Sequence, residues 1–194
     1  MTALLEFRDR LKEMYARNDM FIKPLIKFLV AFLVLVVING EFGYMSRIDN
    51  IAIVLIAALM CSFLPTGCII LFSALFTLLH MYAISLEVAL FGLIIYLLMF
   101  LLFFRFSPRD SLVVVLTPLF CFLKIPYVMP IAMGLLGGPA SAVSVGCGVV
   151  AYYLLVGIKG SVPAISAMNA ADATAKLRLI VDALLDNKAM IVMV

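Results

Sequence analysis

Apolar residues fall along this chain in solid blocks, not in alternation. The stretches "LIKFLVAFLVLVV" (25–37) and "LLMFLLFFRF" (97–106) show no period of two. A membrane β-barrel would need strands of roughly ten residues with alternating polarity. The blocks therefore predict helices. They fall at about 24–38, 51–83, 86–104, 111–136 and 140–157. As one helix, 51–83 would run ~50 Å, too long for a hydrocarbon core of ~30 Å. "LPTG" (64–67) offers a turn, which predicts two short helices, 51–64 and 68–83. "CFLKIPYVMP" (121–130) interrupts the next block with a lysine and two prolines. Seven spans follow if residues 111–137 break there, and six if they form one kinked span.

The two ends of the chain read differently. In 2–19, Leu4, Phe7, Leu11, Met14 and Tyr15 recur at helical spacing, with charges on the other face. Residues 1–20 thus form an amphipathic helix, lying at the membrane surface or docked on the rest of the protein. Residues 158–188 form a second amphipathic segment outside the bilayer core. Its apolar stripe is Leu177, Ile180, Val181, Leu184 and Leu185, and Asn169 and Asp172 read as an N-cap and first-turn acid. Residues 189–194 read as the start of a further hydrophobic segment, as expected of a fragment or of a tail that folds back.

Composition moves the solvent from water to lipid. Of 194 residues, 66% are hydrophobic and 13% charged, and mean hydropathy is +1.25. Soluble domains run near 45–50% apolar and about 25% charged. The fold class expected is all-α, a polytopic helical integral membrane protein whose transmembrane domain is 21–157. No cleavable signal stands out, so the first hydrophobic helix is expected to stay as an anchor. Lys23 and Lys27 flank it and, with the basic N-terminus, predict a cytoplasmic start in a cell membrane. Lys159, Lys176, Arg178 and Lys188 draw 158–188 to the cytoplasm by the same rule, which the six-span reading would require. Net charge is +3, too small to suggest nucleic acid. The four cysteines match no zinc or haem spacing and read as buried thiols.

A shift of 61 residues aligns Ser46 with Ser107, Asp49 with Asp110 and Pro65 with Pro126. This predicts two three-helix units, about 46–105 and 107–157. Three helices is an odd number, so the copies would be inverted across the membrane, a plan common in transporters. Pro65 and Pro126 become helix breaks. Lys124 then either snorkels to headgroups or faces a cavity and binds an anionic group. Gly134, Gly137 and Gly138 either let helices pack closely or mark an unwound stretch lining a site. His80, the only histidine, is structural hydrogen bonding or a proton carrier. Asp49 and Asp110 precede helices, where an acid favours the positive end of the dipole. No Walker, zinc or Ser-His-Asp pattern is present, so no enzyme, cofactor or metal is expected.

With these helix lengths and loop residues, "FLPTG" included, residues 45–157 resemble small bacterial polytopic proteins of permease-like type. They are also loosely similar to the membrane-embedded substrate-binding components of vitamin transporters and to the rod-shape scaffold family. The resemblance implies a transport subunit for a small solute or ion, energised by an ATPase or other membrane partner. The alternative is a scaffold that recruits envelope proteins or self-associates. The binding candidates are Lys124, Pro126, Gly134, Gly137, Gly138, Pro65 and His80.

Overall fold

The computed structural model describes residues 6, 19–45, 48–108, 110–167 and 173–185. These form eight helices: α1 (Asp19–Phe42), α2 (Ile51–Phe63), α3 (Gly67–Ile84), α4 (Leu86–Phe106), α5 (Ser111–Phe122), α6 (Val128–Leu136), α7 (Ser141–Ala167) and α8 (Ala173–Leu185). No strand occurs among the described residues. Four helices, α1, α3, α4 and α7, are long and apolar enough to cross a membrane. Most of the expected N-terminal amphipathic helix, and Asn169 and Asp172, lie outside the described residues.

Local chemistry sets the helix ends. Asn50 opens α2 by accepting the Ala52 N–H at 3.2 Å. Ser85 opens α4 by accepting from Val88 N at 3.3 Å. A side-chain acceptor at these positions satisfies an N–H that the helix leaves without a partner. Leu64 is extended at the end of α2, because the residue before a proline is steered away from the helical region. One end lies further along than expected. α7 passes Gly157, Gly160 and Pro163 and continues to Ala167, beyond the expected stop at 157. Pro163 leaves the Lys159 carbonyl without its helical donor, and one turn earlier Ser161 Oγ donates to Gly157 O at 2.9 Å.

Contacts fix the directions. Ser62 Oγ donates to Pro24 O at 2.8 Å, so α2 runs antiparallel to α1. The His80 ring meets Asn39, so α3 runs parallel to α1. Ser141 Oγ donates to Asp110 at 2.8 Å, so α5 and α7 start at the same end. They run side by side as far as the Phe122–Tyr152 ring contact at 4.9 Å. Residues 111–137 therefore go in and come back. α6 rests mainly on α5 and α7, while α8 docks on α4 and α7. Ile180 and Leu184 of α8 are buried in the main core.

Polar residues mark both ends. Lys23 and Glu41 on α1, Glu87 and Arg105 on α4, and Ser141 and Lys159 on α7 are each eighteen residues apart. Eighteen residues of helix rise ~27 Å. At one end lie Lys23, Arg105 and Ser141. At the other, Lys159 Nζ donates to Glu41 at 2.6 Å, and Glu87 sits 3.8 Å from Lys176.

Candidate functional site

The expected site residues occupy four separate places. Lys124 and Pro126 form the turn between α5 and α6. Leu123 N donates to Leu119 O, Lys124 N to Cys121 O at 3.0 Å, and Ile125 N to Phe120 O at 3.0 Å. The last two are the pair of bonds that close a helix in a Schellman turn. Such a turn needs a left-handed residue, and Lys124 supplies it with φ +61°. Glycine is the usual occupant because a Cβ is strained there. Lys124 is exposed with Leu123, Ile125 and Tyr127, and its ammonium makes no hydrogen bond or ion pair among the described residues.

Gly134, Gly137 and Gly138 come together. With Met133, Pro139 and Gly146 they line an open crevice of about 420 Å³ between α6 and the start of α7. It adjoins a groove of about 440 Å³ between α4 and α7, and Ala142 and Gly146 line both. Lys124 does not line this crevice, which begins at Pro130 near the start of α6. Pro65 is exposed in the α2–α3 turn.

His80 is fully buried. Met45 N–H donates to its Nδ1 at 3.3 Å. Nε2 therefore carries the proton and donates to Asn39 Oδ1 at 2.7 Å. Asn39 Nδ2 in turn donates to Ile48 O at 2.8 Å. The chain pins the α1–α2 connection onto α3, and every polar atom in it has a partner, as burial demands.

Three groups hold the helices together through partners that sequence reasoning did not name. Lys27 Nζ donates to Leu64 O at 3.2 Å, taking a carbonyl that the end of α2 leaves open. Asp110 Oδ2 accepts from Ser107 at 2.7 Å and Ser141 at 2.8 Å, so one carboxylate joins the end of α4 to the starts of α5 and α7. Gly148 lets α5 and α7 touch: a Cβ there would lie 2.5 Å from Thr117 Cβ and 2.9 Å from Val114 O. Pro118 cannot donate to Val114 O, so that carbonyl faces the Gly148 backbone. A lone polar letter in an apolar run, as with Lys27, was the available signal. Its partner lies 37 residues away.

At the centre, α1, α3, α4, α5 and α7 close around a cavity of only about 50 Å³. Its lining is almost wholly apolar, and its few hydroxyls are committed. Thr77 donates to Ser73 O at 2.7 Å and Ser73 to Ile70 O at 2.9 Å. None of the expected site residues lines it. Among the described residues no three His, Cys, Asp or Glu side chains form a metal cluster, and the four cysteines are free thiols. No protein-family model, curated protein or solved structure matches this chain.

Proposed function

We propose that the chain is a multi-pass membrane protein that acts as a scaffold, holding partners against its outer faces. Seven apolar helices lie in the bilayer. α5 and α6 form a pair that enters and returns, and α8 sits on the side opposite the start of α1. Lys23, Lys27 and Arg105 cluster at the α1 start, which supports a cytoplasmic N-terminus. At the other end Glu41 and Glu87 offset Lys159 and Lys176.

The observation that carries this reading is the filled centre. A cavity of about 50 Å³ holds a few waters at most, since one water needs ~10–15 Å³. The exposure of Lys124 agrees, because a solute-binding lysine would face inward.

A second reading, a transport subunit energised by a partner, draws on the glycine crevice and on the order of elements. Short helix, proline break, second helix and third helix occur twice, at α2–α4 and α5–α7, in opposite directions. The packing does not follow that symmetry: α5 leans on α7, whereas α2 leans on α1.

The test is purification of the native protein in mild detergent, with mass spectrometry of what accompanies it. Envelope-assembly proteins or a self-oligomer are expected. An ATPase or a soluble binding protein in fixed ratio would replace the scaffold reading with the transport one.

A further inference from the structure

We propose that Lys124 is a lipid-phosphate site. It holds the headgroup phosphate of a phospholipid drawn inward from the leaflet opposite the one the α5–α6 hairpin enters. The inference rests on membrane embedding and not on the choice between scaffold and transport.

Depth is the first argument. α5 has twelve residues and reaches ~18 Å from the Asp110 end. α7, alongside it, places Tyr152 at the same level through the Phe122 contact. It then continues seven residues to Lys159, which meets Glu41 at the far polar end. Seven residues rise ~10 Å. The Lys124 backbone therefore lies well inside the apolar slab, about a third of the way in from the far end.

Chemistry is the second argument. An ammonium in hydrocarbon is costly unless water or a headgroup reaches it, by snorkelling or by local thinning. The protein offers no such partner among the described residues. The peripheral position of α6 leaves the tip open to lipid and not to the bundle interior. A lysine side chain extended from this turn covers most of the remaining distance, and an inward dip of the headgroup layer covers the rest. Leu123, Ile125 and Tyr127 are 57%, 51% and 65% exposed. They are neighbours of Lys124 in the same turn, and tyrosine carries a polar tip on an apolar ring, suited to reach toward the membrane–water interface. The left-handed turn that sets Lys124 at the tip is one glycine would form without strain, so lysine adds charge there at a conformational cost.

The chain has no tryptophan, so Ile125→Trp places a single fluorophore at the tip. The full-length variant goes into phosphatidylcholine vesicles doped with phosphatidylglycerol, with brominated acyl chains on one lipid at a time. Bromine near the glycerol end is expected to quench more than bromine near the methyl end. Bromine on phosphatidylglycerol should out-compete the same bromine on phosphatidylcholine by about fivefold at low ionic strength. Adding Lys124→Gly, which suits the turn, should abolish that preference while quenching persists. A preference that survives Lys124→Gly, or none at the outset, overturns the site and leaves the embedded fold standing. Absence of quenching by any brominated lipid would overturn both the site and the membrane reading.

Discussion

Two helices stop short in this bundle, and they stop differently. α2 ends at Leu64 and is finished by a neighbour: Lys27 of α1 donates to its open carbonyl, and Ser62 ties back to Pro24. α5 ends at Leu123 and finishes itself, with Lys124 and Ile125 donating back to Cys121 and Phe120. Both breaks precede a proline, and both set a lysine near the negative end of a helix, where a cation is favourable. In the first, the lysine comes from another helix and becomes part of the packing. In the second, it belongs to the turn and its charge is left over. A capped end closes a structure, whereas a self-closed end presents its cation outward.

The chain carries its own reporters for this contrast. Cys61 and Cys68 flank the first break, while Cys121 and Cys147 sit beside the second helix pair; all but Cys68 are buried. Gly148→Val should have the largest effect, because the added atoms meet Val114 O and Thr117 at the α5–α7 contact. Overpacking of this kind costs about 3 kcal/mol. Unfolding in mixed micelles should show it, with Cys121 and Cys147 becoming reactive and Cys61 staying protected. Lys27→Met should cost about 2 kcal/mol, the loss of a charge-assisted bond to a partly buried carbonyl. Here the thiol pattern should invert, with Cys61 exposed and Cys147 silent. Equal exposure of all thiols in both variants would mean that the two breaks do not act separately. Asp110→Asn keeps an acceptor for Ser107 or Ser141 but removes the charge at two helix starts. A loss of about 1 kcal/mol is expected, confined to the α5–α7 thiols. Lys124→Gly should be smallest and opposite in sign. Removing left-handed strain, less the added freedom of the unfolded chain, should raise stability in detergent by about 0.5 kcal/mol.

Element positions were legible because apolar block lengths and prolines are local signals. α2 and α3 lie within a residue of expectation, and the break at 123–127 falls where "KIPYVMP" put it. What was not legible was who leans on whom. Lys27 and Asn39 act across 37 and 41 residues, and no local pattern encodes such pairs. The Lys124 turn was hidden for a related reason. A left-handed position is announced by glycine, and here the turn uses a lysine, so the sequence left snorkelling and a cavity both open and gave no sign of the turn's geometry. The glycine run was half legible. Close packing was legible in the run, but not that Gly134, Gly137 and Gly138 share a crevice or that Gly148 meets Thr117 and the carbonyl that Pro118 leaves unpaired. The overrun of α7 had the same character. Gly157, Gly160 and Pro163 look like punctuation, yet inside a packed helix each is tolerated.

The equal eighteen-residue spacing on α1, α4 and α7 bears on where such a protein can reside. A lone helix meets a thinner bilayer by tilting and a thicker one by standing upright, at fractions of a kcal/mol per Å of mismatch. Here three helices carry polar residues at one common spacing, and the Glu41–Lys159 bond ties two of them together. Tilting one would drag the others, so the block keeps its height and the surrounding lipid adjusts. Membrane thickness then acts as an address, and the protein should accumulate where the local bilayer already matches its ~27 Å.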